Sequence, residues 1–181
     1  MKKNFIFNDY ILCSDIKNIR NKLNLTQTQF AEFVGVSVKT IERWEYTEQK
    51  ITGPIVSLVK LLNDMPVIID DYHIPPRTLP LRLWYMFKHE TCTIIDVDDI
   101  SQKIEIHNYT PNIYLKAFGA NETPSYEDYQ AFLASRCFPP QRDKMKIILK
   151  DLELPFYDPF LIIKKTNGRM TEDDFWIKIE S

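Results

Sequence analysis

Along the first 64 residues, apolar positions recur every three or four residues, the spacing of one face of a helix. Ile16, Ile19 and Leu23 make one stripe, Phe30, Ala31 and Val34 a second, and Ile41 and Trp44 a third. Short polar breaks separate them. Thr26 and Ser37 are of the type that caps helix starts, and Gly35 falls between the second and third stripes, where a left-handed turn needs no Cβ. A further helix opens at TGP, with Pro54 in its first turn. The pattern predicts a helical block from Ser14 to Asp64.

The pattern then changes. MPVIIDDYHIPPRTLP contains Pro66, Pro75, Pro76 and Pro80. A helix does not pass through such a run, because proline lacks the N–H and restricts the residue before it. Residues 67–79 therefore read as a Pro-rich linker between a domain of residues 1–66 and one of residues 80–181. Three strand-like stretches follow, LRLWYMF, TCTIIDV and KIEIHNY, the last alternating through Ile104 and Ile106, with DDISQ as a turn between the second and third. Helical text comes next: NIYLKAFG to a stop at Gly119; SYEDYQAFLASRC from a Ser125-x-x-Asp128 start; RDKMKIILKDLEL with Met145, Ile148, Leu149 and Leu152 on one face; and DPFLIIKKTNG from Pro159 to Gly168. DDFWIKIE alternates Phe175, Ile177 and Ile179, as a returning strand does. The expected fold class is an all-α N-terminal domain followed by an α+β domain with a small antiparallel sheet.

Composition agrees with two packed cores. Apolar residues make up 44% of the 181 and aromatics 13%, with only 4 glycines, the reverse of a disordered chain. No apolar run approaches the roughly 18 residues needed to span a bilayer. The opening MKKNFIFNDYILCSD is broken by Asn8, Asp9 and Asp15 and lacks a small-residue cleavage site, so it does not read as a signal peptide. Cys13, Cys92 and Cys137, with no CxxC pair, read as free thiols of a cytoplasmic protein. Net charge is −2, but residues 1–66 carry 9 basic and 7 acidic side chains and residues 67–181 carry 14 and 18. A mildly basic head on an acidic body is compatible with nucleic-acid binding by the head alone.

The segment from Ile16 to Leu62 is the most specific part of the chain. Two short helices joined by a glycine turn at a steep angle leave the second with few residues in the core. Val38, Lys39, Thr40 and Arg43 are then left on its outward face, a shape that enters the major groove of duplex DNA. Thr26-Gln27-x-x-Phe30-Ala31, Gly35-Val36-Ser37-x-x-Thr40-Ile41-x-x-Trp44-Glu45 and the later Gly53-Pro54 resemble the Xre-type helix-turn-helix family of phage repressors and antitoxins. The resemblance covers under a third of the chain. It implies that Gln27 bonds a phosphate and supports the recognition helix, and that Ser37, Val38, Lys39, Thr40 and Arg43 form the DNA-binding set. It also implies that Arg20 and Glu45 pair to tie the first helix to the recognition helix. Arg43 bidentate to a guanine is worth roughly 1–3 kcal/mol of discrimination. Lys39 suits a phosphate or a base, and Val38 a thymine methyl. One position departs from the family: Thr47 stands where a glycine usually follows the Trp-Glu pair, so the helix must end differently there. Glu42 and Glu48 near this face favour the alternative of a protein-binding module.

Catalytic signatures are absent: no GxSxG, P-loop, HExxH or paired cysteine and histidine. The chain reads as a non-enzyme without a metal or cofactor. Asp70, Asp71 and His73 precede prolines in loop-like text; His89, Glu90 and Cys92 scatter over strand faces; Asp96, Asp98 and Asp99 read as a solvated turn; and Glu172, Asp173 and Asp174 as a wet connection. The densest remaining feature combines Arg136, Arg142 and Arg169 with Phe138, Phe156, Tyr157, Phe160 and Trp176. Arginine with aromatics suits a binding hot spot or a core with arginines on its rim. Arg136, Arg142, Arg169 and Trp176 are the candidate partner contacts. The patterns R-x-F-P-x-x-R and D-D-x-W-I are similar to the tail of small bacterial proteins that accompany HipA-like kinase toxins. That resemblance implies an antitoxin-like regulator whose head binds its own operator and whose tail binds the toxin.

The leading expectation is a dimeric, duplex-DNA-binding transcriptional repressor with a partner-binding C-terminal domain and no membrane association. The alternatives are a ligand-responsive regulator, with a small-molecule site in the α+β domain, and an enzyme carrying a DNA-binding head.

Overall fold

The computed structural model describes residues 4–180. It divides into two compact units, one ending at His73 and the other beginning at Ile74.

The first unit is built from four helices, α1 (Cys13–Lys22), α2 (Gln27–Val34), α3 (Val38–Tyr46) and α4 (Pro54–Asp64). Each start has a local chemical reason. Asp15 accepts from the Leu12 N–H at 2.8 Å ahead of α1. The Thr26 hydroxyl accepts from the Gln29 N–H, and the Gln29 side chain returns to the Thr26 N–H, a reciprocal capping box. Ser37 accepts from the Thr40 N–H. Gly35, at φ 71°, closes α2 in the left-handed conformation and turns the chain into α3. Ile16, Ile19, Phe30, Ile41, Val59 and Leu62 form the buried centre of this unit.

The predicted linker differs from the structure at its beginning. Pro66–Tyr72 forms a 3-10 helix, with Ile68 and Ile69 packed against the first core. Pro66 occupies the first turn, where a missing N–H breaks no helical hydrogen bond.

In the second unit, β1 (Leu81–Phe87), β2 (Glu90–Asp98), β3 (Lys103–Asn108) and β4 (Phe175–Glu180) form an antiparallel sheet in the order β3-β2-β1-β4. The helices are α5 (Tyr126–Ser135), α6 (Met145–Asp151) and α7 (Pro159–Thr166). Tyr129, Phe132 and Leu133 of α5 and Ile162 and Ile163 of α7 share one core with Leu83, Tyr85, Ile95, Val97 and Ile177 of the sheet. Residues 111–120, predicted as a helix ending at Gly119, are a series of turns. The Thr110 hydroxyl accepts from the Asn112 N–H and the Asn112 side chain from the Tyr114 N–H. Such local bonds compete with helix formation.

Asp96 also departs from expectation. It is 5% exposed, not solvated, and takes two hydrogen bonds from Arg82, each at 2.6 Å, across the β1–β2 pair. Arg82 donates a third to the Pro75 carbonyl at 2.9 Å. Asp98 instead shapes the β2–β3 turn by accepting from the Ile100 N–H and the Ser101 hydroxyl, which hold its carboxyl below the usual range.

Candidate nucleic-acid interface

Helix α3 is anchored from below. Ile41 and Glu45 are buried, and Val38 and Trp44 are half-buried against the first core. Lys39, Glu42, Arg43 and Tyr46 remain exposed on the opposite face at helical spacing. Lys39 and Arg43 have no ion pair or hydrogen bond from their side chains among the described residues. Val38 therefore offers less of its surface than the outward placement expected of it, because its first-turn position leans it back onto the core. Thr40 is half-buried, and its hydroxyl lies 2.9 Å from that of Ser37, so the two polar groups are tied at the start of α3.

Three helices meet at Glu45. Arg20 of α1 donates from Nε to Oε1 at 2.6 Å and from Nη2 to Oε2 at 3.4 Å. Gln27 of α2 donates from Nε2 to Oε2 at 2.7 Å. Arg20 also donates to the Leu25 carbonyl at 2.9 Å, which fixes the connection between α1 and α2. Burial works to raise the Glu45 carboxyl pKa. The bonds from Arg20 and Gln27, with the charges of Arg20 and Lys17, outweigh burial and hold it below its ordinary value. The carboxylate thus locks the orientation of α3 relative to α1 and α2. Gln27 spends its amide on this lock, the supporting half of the role the family resemblance implies.

The end of α3 shows how the chain manages without a glycine. Thr47 is extended rather than left-handed (φ −75°, ψ 141°), and its N–H closes on the Arg43 carbonyl at 3.0 Å. Its hydroxyl accepts from the Gln49 N–H at 3.1 Å. The loop then pairs with the segment ahead of α1: Ile11 and Ile51 exchange two backbone hydrogen bonds of 2.9 Å, and Lys50 Nζ lies 4.0 Å from the centre of the Tyr10 ring. Arg43, Gln49, Lys50 and Thr52 line a cleft of about 300 Å³ at this end of α3. Sequence reasoning missed both the bridge and the capping box. The box left a readable trace in Thr26-x-x-Gln29. The bridge left none, because two isolated isoleucines make no pattern.

The candidate partner contacts separate into two kinds. Arg142 and Arg169 are exposed, and Trp176 is half-buried. Arg169 lies 5.1 Å from the centre of the Trp176 ring, and the Trp176 indole donates to the Lys88 carbonyl at 2.7 Å. Arg136 does not belong with them. It is 7% exposed and gives its guanidinium to Asp173, to the Gly168 carbonyl and to the Phe175 carbonyl. Its plane also lies within 6.0 Å of the Tyr85 ring and 5.7 Å of the Phe175 ring. Arg136 is a core strut that joins the end of α7 to the start of β4. Asp173, placed by sequence in a wet connection, is its counter-charge; the guanidinium holds that carboxyl below its usual range.

Residues 16–59 match a family model described as helix-turn-helix, of the Xre-like kind. The match supports a DNA-binding regulator. No curated protein sequence matches the chain. Among the described residues no helix is long and apolar enough to cross a membrane.

Proposed function

We propose that the chain is a sequence-specific duplex-DNA-binding transcriptional regulator that represses its own operon in the manner of an antitoxin. In this reading α3 lies in the major groove. Arg43 reads a guanine edge, Lys39 meets a phosphate or a base, and Ser37 and Thr40 approach the backbone at the start of the helix. Glu42 on the same face repels phosphates but accepts from a cytosine amino group. The carrying observation is the exposed Lys39–Arg43 face of a helix whose other side is fixed by Ile41 and the Arg20–Glu45–Gln27 lock. Two copies, set one helical turn of DNA apart at about 34 Å, would read a palindrome. Arg142, Arg169 and Trp176 are the residues proposed for a partner protein.

A second reading, regulation by a small ligand, is favoured by an open cleft of about 340 Å³ between α5 and α7, lined by Asp99, Tyr126, Gln130, Asp158 and Phe160.

The test of DNA recognition is fluorescence anisotropy of the chain on its own upstream DNA and on random duplex, across a salt series. Specific binding should weaken with a log–log slope of about −0.9 per phosphate contacted. Arg43→Ala should lose preference for the upstream site. Absence of binding to any duplex at low salt would refute the reading and leave the first unit as a protein-interaction module.

A further inference from the structure

Tyr46 is the last residue of α3 and is 77% exposed. Among the described residues no group hydrogen-bonds to its hydroxyl. It continues the outward face of the helix, since Lys39, Glu42, Arg43 and Tyr46 follow at steps of three, one and three. The helical rise places it about 10 Å along the axis from Lys39. Lys17 of α1 reaches the same place. Its Nζ lies 4.7 Å from the centre of the Tyr46 ring, and among the described residues it forms no ion pair. The half-buried Lys17 stem and the ring together station an ammonium group at the end of α3. Its charge also reaches Glu45 beneath, where it helps to keep the carboxylate ionised.

An ammonium beside an unused phenol O–H is a donor set for an oxyanion, and lysine and tyrosine are both regular donors to DNA phosphates. The other donors around α3 are engaged within the protein. Gln27 turns its amide to Glu45 at 2.7 Å, and the Ser37 and Thr40 hydroxyls lie 2.9 Å apart. Glu42 and Glu48 are exposed near this face and repel phosphates, so a strand held there needs a fixed positive charge close by. When the first turn of a recognition helix meets base edges in a groove about 12 Å wide, its far end runs out toward the sugar–phosphate wall. Tyr46 and Lys17 stand at that end.

We propose that Lys17 and Tyr46 form one phosphate-binding pair, which grips the DNA strand at the C-terminal end of the recognition helix. Lys17 supplies the charge, and the Tyr46 hydroxyl donates a hydrogen bond to the same phosphate. The pair contributes affinity and register and reads no base, in contrast to Arg43. The inference rests on the reading that α3 lies in the major groove, and it adds a contact from α1 to that reading.

The experiment is fluorescence anisotropy of the full chain on its upstream duplex and on random duplex, across a salt series. Lys17→Gln, Lys17→Arg and Tyr46→Phe are compared with wild type, with Arg43→Ala and with Lys60→Gln. Lys60 sits on α4 paired with Asp64, so its variant reports the loss of a lysine charge elsewhere in the first unit. Lys17→Gln should weaken both duplexes by the same factor, about eight-fold at about 0.1 M salt, and make the log–log slope shallower by about 0.9. Lys17→Arg should restore both quantities. Tyr46→Phe keeps the ring but not the donor, and should weaken both duplexes about three-fold with the slope unchanged. Lys60→Gln should keep the wild-type slope. If wild type binds no duplex, the groove reading and the pair fall together. If Arg43→Ala loses the upstream preference while Lys17→Gln keeps the wild-type slope, the pair alone falls. A Lys17→Gln loss confined to the upstream duplex, a Tyr46→Phe variant that binds as wild type, or an equal slope change in Lys60→Gln would also overturn it.

Discussion

Replacing Glu45 by alanine tests the lock beneath the recognition helix. The carboxylate is 2% exposed and receives its shortest bonds at 2.6 Å from Arg20 and 2.7 Å from Gln27. Its removal strands a guanidinium and an amide in a site closed on most sides. Breaking a buried pair by deleting one partner costs roughly 3–5 kcal/mol. The Arg20 side chain keeps 18% of its exposure, so water recovers part of that loss. We therefore expect the lower end, about 3 kcal/mol. Native-state hydrogen exchange reads the effect locally: protection of α3 amides should fall about 150-fold. Arg20→Ala combined with Glu45→Ala should cost less than the sum of the two, by about 1 kcal/mol or more. The pH dependence has a definite sign. The Glu45 pKa in the folded protein lies below the 4.5 of a free glutamate. The stability it confers is fully present above that value and is lost as pH falls through the folded value. The gap between wild type and Glu45→Ala should therefore narrow on acidification below pH 4.5. A Glu45→Ala loss under about 1 kcal/mol, strict additivity with Arg20→Ala, or a gap unchanged by acid would refute the lock.

Two further substitutions probe the second unit. Arg136→Met strands Asp173 and two backbone carbonyls and should destabilise by about 3 kcal/mol, measured by urea denaturation followed through tryptophan fluorescence; a near-neutral result would mean that Arg136 is not the strut described. Gly168→Ala forces an L side chain to φ +60° and brings its Cβ to 3.2 Å from Ile177 Cδ1. The expected cost is about 1–2 kcal/mol by the same measurement, and a stabilised variant would contradict the geometry.

The legible parts of this chain are those in which a residue acts on its immediate neighbours. Thr26, Ser37 and Ser125 cap helices, Pro159 opens one, and Gly35 turns the chain, all through bonds spanning a few positions. The alternation in KIEIHNY and DDFWIKIE likewise follows from the pleat of a strand. What was not legible depends on distance along the chain. Nothing near Asp96 indicates that Arg82, fourteen positions away, takes it out of solvent. Nothing near Arg136 indicates that Asp173, thirty-seven positions away, turns a candidate surface contact into a core strut. The turns over residues 111–120 show a different limit. There helix-compatible text loses to side-chain-to-backbone bonds at Thr110 and Asn112 that periodicity does not register.

The bridge between Ile11 and Ile51 uses backbone atoms alone. The path of the loop after α3 is thus set without help from the side chains of Gln49 and Thr52, two of the loop residues that line the cleft beside Arg43. These two positions are free to change identity while their Cα atoms stay in place. A lineage could retune what this end of the recognition helix prefers by exchanging side chains on a fixed rail, with no need to refold the loop at each step.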